Sequence, residues 1–317
     1  MKRPVQPHPQ EEAASASPTR NLVKSAPHRT VGGGRFPGLS PTDLTHESHN
    51  ERHALLTLAL CHDVTAIASQ AGEEPYELNG RQRHHTPDFV VDAFVPGLRI
   101  EVKSITSLAR PEAIEKYRAV AQGYRKRGIP FAFLVDAQLE EQPRFRTVKL
   151  LCRYVTSEIP QGVTEQAEIA LQDGALPIAE LMSRSKLQLV DVLTLIAKRR
   201  LCFDWLLPFD SKNTVVCLPG QPFGGLLLES ILCASRFSDF LAQLALGRPP
   251  TDQRLLADAK TWRQLRRPLG PWQFVGGLDD EKDFLDRGSD QSFPIAPERR
   301  RDFAPGQGSF PARRADR

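Results

Sequence analysis

From Thr86 to Asp136 the chain reads TPDFVVDAFVPGLRIEVKS, then ITSLA, then RPEAIEKYRAVAQGYRKRGI, then PFAFLVD. No other stretch limits the fold so tightly. PDFVVDAF and LRIEVKS are short, apolar and rich in β-branched residues, and the turn at Pro96-Gly97 joins them. The next segment opens on Pro111 and ends at Gly128, the usual punctuation of a helix. PFAFLVD is a run apolar enough to be a buried strand. Strand, strand, helix, strand is an α/β unit built on a central mixed sheet.

The upstream sequence extends this unit. Ser48 can cap a helix carrying Leu55, Leu56, Leu58 and Leu60. VTAIASQ alternates like a strand, and the Asn-Gly pair inside PYELNGRQRHHT signals a hairpin. Downstream, TEQAEIALQDG, LPIAELMSR and KLQLVDVLTLIAKRRL read as three helices. LCFDWLLPFD and NTVVCLPG follow as strands, and further helices lie beyond. Three helices and a hairpin make a winged-helix pattern. The expected organisation is a mobile arm over 1–40, an α/β domain over 41–143, a mainly helical winged-helix-like domain over 144–278 and a basic, breaker-rich tail over 279–317. The arm and tail are rich in Pro, Ser, Ala and Gly, and bury too little apolar surface to offset their ordering entropy.

With 317 residues the chain is long enough for two domains. No apolar run reaches the length of a membrane span, and the N-terminus lacks the apolar core of a secretory signal. The five cysteines, Cys61, Cys152, Cys202, Cys217 and Cys233, are scattered and lack CxxC spacing, which argues against a disulfide framework and a zinc site. A cytoplasmic location follows as the expectation. The formal net charge of +4 permits nucleic acid as a partner without requiring it.

Charge inside the apolar strands is the chemical signal. Glu101 and Lys103, two apart on a strand, share a face, and Asp88 converges on them if the two strands pair. Neighbouring carboxylates raise each other's proton affinity unless a cation lies between them. Oxygen ligands select a hard ion such as Mg²⁺ or Mn²⁺, to which the Val102 carbonyl can add a ligand. A lysine beside such an ion is suited to orient water or to stabilise charge on a phosphate. Together these groups suggest phosphodiester hydrolysis. An ExK on a solvent-facing strand is ordinarily a surface salt bridge. The apolar strand context and the preceding Pro-Asp set this one apart.

This is the PD-(D/E)xK nuclease pattern. With SHNE at 48–51, CHDVTAIASQ, TPDFVVD, IEVKS and YRKRGIPFAFLVD, the chain resembles the TnsA-type endonuclease subunit of heteromeric transposases over about residues 45–138, and loosely to about 220. The resemblance implies a restriction-endonuclease-like core and a catalytic set of Glu51, Asp88, Glu101 and Lys103. Asp88, Glu101, Val102 and Glu51 would serve the metal. The archetypal member has glutamine at the Glu101 position, and glutamate adds a charge there. Glu47, four residues before Glu51, competes for the helix role. The resemblance also implies cleavage of 5′ strands at transposon ends in double-stranded DNA. A DDE-type transposase subunit and an AAA+ regulator would be the partners, and there would be no membrane association.

Candidate phosphate contacts are Arg81, Arg83, His84 and His85 on the hairpin, with Lys116, Arg118, Arg125, Lys126 and Arg127 on the following helix. His84 and His85 point to opposite faces of an extended strand and so make a poor metal pair. Gln70, at a strand end, lies near the expected site. KLQLVDVLTLIAKRR can be a recognition-type helix that turns Lys198, Arg199 and Arg200 to DNA. Two other functions fit less of this pattern. One is a winged-helix DNA-binding adaptor with a scaffold nuclease domain. The other is a free-standing restriction or repair nuclease.

Overall fold

The computed structural model describes residues 32–221 and 223–265. The first 31 residues of the expected arm and the whole expected tail lie outside them. Residues 32–40 do not behave as an arm. Strand β1 (Gly32–Gly34) pairs antiparallel with β2 (Leu44–His46), and Phe36 and Leu39 are buried. The triple glycine is what permits this pairing. A Cβ on Gly32 would stand 2.7 Å from the His46 ring, and one on Gly33 would stand 2.8 Å from the Leu44 carbonyl oxygen. Composition averages a segment and misses two anchoring apolar side chains and a close backbone approach.

Helix α1 (His49–Leu60) is capped by Ser48 and buried continuously from Ala54 to Leu60. A helix apolar on every side must lie inside the molecule. The central sheet runs β3 (Ala66–Ser69), β6 (Phe89–Asp92), β7 (Leu98–Lys103), β8 (Phe131–Val135) in that spatial order. The first three are mutually antiparallel and β8 is parallel to β7. The protein is therefore mixed α/β with a mixed central sheet. Parallel neighbours need a crossover. It is supplied by α2 (Ile105–Leu108) and α3 (Pro111–Lys126). The hairpin of β4 (Glu74–Leu78) and β5 (Arg81–His85) turns at Asn79 and Gly80, both at positive φ, as a two-residue turn of this kind requires. It packs on α3 at Gly123, where a Cβ would stand 3.1 Å from the Pro75 carbonyl.

The chain continues through α4 (Asp136–Leu139), α5 (Arg144–Leu151), α6 (Val163–Ala170), β9 (Leu176–Pro177), α7 (Ile178–Ser185), α8 (Leu189–Ala197), β10 (Cys202–Phe203) and β11 (Val215–Cys217). The three short strands form an antiparallel sheet ordered β10-β11-β9. Three helices follow, α9 (Leu228–Cys233), α10 (Ser238–Ala245) and α11 (Gln253–Leu265). Among the described residues no helix is long and apolar enough to cross a membrane. All five cysteines are free.

Alternation along β7 sorts its side chains between two apolar clusters. Ile100 and Val102 join a large cluster containing Leu55, Leu134, Val192 and Phe203. That cluster crosses residue 143 without a break, so the helical half is packed into the α/β half. On the other face Tyr117, Tyr124, Phe133 and Phe240 form a second cluster, closed by α10 lying against α3 and β8. Arg99, Glu101 and Lys103 alternate with the first set, and so the charged groups sit on this aromatic side.

Helix α8 does not present a recognition face. Val192 to Ala197 are buried without interruption. Lys198 Nζ donates to the Val155 carbonyl at 2.6 Å. Arg199, at positive φ, donates Nη1 to the Cys61 carbonyl at 3.0 Å and also to that of Val64. The expected DNA role of Lys198 and Arg199 is thus replaced by a structural one. A helix with six consecutive buried residues is claimed by the core, and its terminal cations turn inward to backbone carbonyls.

Candidate active site

Pairing of β6 with β7 sets Phe89 against Ile100. Asp88, just before β6, then lies beside the end of β7. Its Oδ2 accepts the Val102 N–H at 2.7 Å, which fixes the carboxylate. Lys103 Nζ contacts three oxygens: Glu101 Oε1 at 2.8 Å, the Val102 carbonyl at 3.0 Å and Asp88 Oδ2 at 3.3 Å. Three of the four atoms the sequence assigned to a cation therefore meet around one ammonium.

Glu51 stands next to this group. Its Oε1 accepts from Ser48 Oγ at 2.9 Å and its Oε2 from the Glu47 N–H at 2.6 Å, while its own N–H donates to Ser48 Oγ. The Ser48 hydroxyl thus caps α1, and the Glu51 carboxylate ties back to the residue before the cap. The carboxylate is also close enough to raise the proton affinity of Asp88. Glu47, the competitor, accepts from Gln70 Nε2 at 3.3 Å. Gln70 is buried, sits at φ 49°, and donates its backbone N–H to the Asp88 carbonyl at 3.0 Å. The strand-end glutamine thus joins Glu47, which precedes the cap of α1 and does not lie on the helix, to the Asp88 backbone.

The acids are electrostatically unequal. Burial would raise the Glu101 carboxyl, but the Lys103 ammonium and the His85 bond outweigh it and hold the group down at about 2. Burial and then the Glu101 carboxylate push Asp88 well above the ordinary carboxyl range. Burial also pushes Glu51 up. Burial would lower Lys103, yet the Glu101 and Asp88 carboxylates raise it. One acid is held ionised, its neighbours resist ionisation, and the single cation is shared.

Two partners of Glu101 were not visible in the sequence. His85 Nε2 lies 3.1 Å from Glu101 Oε2, and Tyr117 Oη donates to Glu101 Oε1 at 2.7 Å. His85 Nδ1 meets Tyr124 Oη at 3.0 Å. His84 is exposed while His85 is buried, as their alternation requires. The seven-residue spacing of Tyr117 and Tyr124 puts both on one face of α3, a signal present in the sequence. Nothing in it pairs that face with His85.

Of the expected DNA contacts, Arg81 and Arg83 are exposed on β5, and Arg125 and Lys126 are exposed at the end of α3. Lys116 is half-buried, its Nζ 5.0 Å from the centre of the Tyr117 ring. Arg127 is committed to Glu74 at 3.2 Å and to the Pro75 carbonyl at 2.7 Å.

Among the described residues no group of three His, Cys, Asp or Glu side chains is gathered as a ready metal cage. The donor chemistry nevertheless fits a hard divalent ion. Two carboxylates and a carbonyl, all oxygen, surround one point, and a cation already occupies it. An ion entering there must displace Lys103. No protein-family profile matches the chain, and no curated protein matches it.

Proposed function

We propose that this chain is a Mg²⁺- or Mn²⁺-dependent DNA endonuclease with a restriction-endonuclease-like core, acting as the TnsA-like subunit of a transposase that cuts the 5′ strands at transposon ends. The observation that carries the reading is the convergence of Asp88 Oδ2, Glu101 Oε1 and the Val102 carbonyl on Lys103 Nζ. A surface salt bridge needs one acid and no backbone carbonyl. It would not leave Glu101 4% exposed.

In this reading Asp88, Glu101 and the Val102 carbonyl hold the ion, with Glu51 alongside. When bound, the ion supplies Lewis acidity to the scissile phosphate and acidity to a water. Lys103, freed from the carboxylates, turns its ammonium to the phosphate oxygens and stabilises the charge that grows there. Glu51, whose burial raises the proton affinity of its carboxylate, would orient the attacking water and, in its ionised form, take up a proton from it. Arg81, Arg83, Arg125 and Lys126 are the exposed cations available to the DNA backbone. The order α6, β9, α7, α8, β10, β11 with its three-stranded sheet supports a winged-helix-like second half. Since α8 is buried, base recognition falls to the DDE-type transposase, and an AAA+ regulator is the further partner.

The test is strand-resolved cleavage of transposon-end DNA with Mg²⁺, the chain being assayed together with the transposase encoded beside it. Nicks on the 5′ strands with wild type and none with Asp88→Ala are expected. Equal cleavage by both, with partner and DNA binding retained, would make the acids structural and favour an adaptor. Cleavage of unrelated DNA without any transposase would favour a free-standing nuclease.

A further inference from the structure

Besides the Lys103 ammonium, Glu101 is held by a chain of side chains that the phosphodiester chemistry does not itself use. His85 is buried, its ring edge-on to Tyr117, Tyr124 and Phe131 with centroids 6.2, 5.7 and 6.1 Å away. A carboxylate only accepts, so His85 Nε2 carries the proton that faces Glu101. In the neutral ring Nδ1 is then the acceptor, and Tyr124 Oη donates to it. Tyr117 Oη fixes the other carboxylate oxygen. Both oxygens of Glu101 are thus aimed by donors from two different elements, β5 and α3. A core histidine satisfied for its own sake needs only a carbonyl or a hydroxyl. This one bonds one of the acids that hold the shared cation.

We propose that His85, set by Tyr124 and assisted by Tyr117, is a positioning residue that orients Glu101 toward the cation; this rests on the nuclease reading. Lys103 cannot do the same, because an entering ion displaces it. When it leaves, His85 and Tyr117 are the groups still holding the carboxylate, and they keep its oxygen directed at the ion. The hairpin that carries Arg81 and Arg83 ends at His85, so the same strand that presents exposed cations also fixes a ligand.

The test is calorimetric titration of the full-length chain with Mn²⁺, a readout independent of cleavage. Wild type and Asp88→Ala are compared first. Binding by wild type that Asp88→Ala abolishes establishes the site. No binding by wild type, or equal binding by both, sinks the nuclease site and this proposal with it. His85→Ala is then expected to weaken Mn²⁺ binding about 10–100-fold, the range for residues that orient a ligand. His85→Gln keeps a donor near Glu101 and should recover part of that loss. Tyr124→Phe removes one hydroxyl with little effect on packing, and should weaken binding at least about threefold. Where His85→Ala fails to fold, Tyr124→Phe decides. A folded His85→Ala or Tyr124→Phe protein with wild-type affinity overturns the positioning role while leaving the site itself standing.

Discussion

Lys103 and Arg199 are both cations turned into the protein, and what surrounds each differs in kind. Arg199 meets the backbone carbonyls of Cys61 and Val64, in a loop that also receives α9 through Asp63 and the Leu228 N–H. Carbonyls carry no net charge, so the arginine is a clamp that joins the two halves. Lys103 meets two carboxylates and one carbonyl. Its removal leaves negative charge that another cation can neutralise. The first arrangement is complete, whereas the second is exchangeable. Buried cations are therefore better sorted by their acceptors than by their exposure.

Lys103→Met breaks the comparison most sharply. Cleavage is expected to fall by about 1,000-fold through loss of charge stabilisation at the phosphate. Mn²⁺ should bind more tightly than to wild type, because no ammonium competes for Asp88 and Glu101. Parallel cleavage and calorimetric assays check both parts, and weaker Mn²⁺ binding would mean that the ion and the lysine do not share a place. Arg199→Met should do the reverse. Two carbonyls lose a charged donor, which costs about 3 kcal/mol of stability in urea denaturation. Mn²⁺ affinity of the folded protein should stay unchanged. A coupled loss of affinity would show that the clamp and the site are one unit.

A third effect is smaller and has a definite sign. Burial and the Glu101 carboxylate raise Asp88 above its unfolded value. The folded state then holds that proton more tightly than the unfolded state, so Asp88 costs stability as pH rises through its folded pKa. Without metal, Asp88→Asn should raise the Tm by a few degrees at neutral to mildly basic pH. The gain should vanish as pH falls below the ordinary carboxyl range, where Asp88 is protonated in both states. A gain that persists at low pH would trace the effect to packing.

The strands and helices around the site were readable because their signals are local. Pro96-Gly97, Asn79-Gly80, Pro111 and Gly128 each act within a few residues, and alternation in LRIEVKS puts Glu101 and Lys103 on one face. The convergence of Asp88 followed from a single assumption about strand pairing, and the register of β6 on β7 supplies it. What stayed hidden depends on distant packing. His85 reaches Glu101 only because the β4–β5 hairpin lies on α3, and no local pattern specifies that. The run LVDVLTLIA has the same composition whether its helix faces DNA or a core. Its burial is decided by the partner surface, built from residues far away in the sequence. Gly32 to Gly34 read as loop-forming because their role, close approach to Leu44 and His46, leaves no mark on the glycines themselves.

Gln70 offers the finest division between structure and chemistry. Its left-handed backbone, φ 49°, is one that glycine adopts freely and glutamine does not, at a cost on the order of 1 kcal/mol. Gln70→Gly removes that strain. It also removes the bond to Glu47 and loosens the unfolded chain, so the net change in stability should stay within about 1 kcal/mol. If the side chain serves only to end β3, cleavage should be unaltered. The expected result is a modest slowing, about threefold to tenfold, at nearly constant stability, because the Gln70–Glu47 bond is gone and the loop carrying Asp88 is less well fixed. Rates and urea midpoints measured on the same preparation separate the cases. Full activity at unchanged stability would leave the strained backbone at Gln70 without a part in the site.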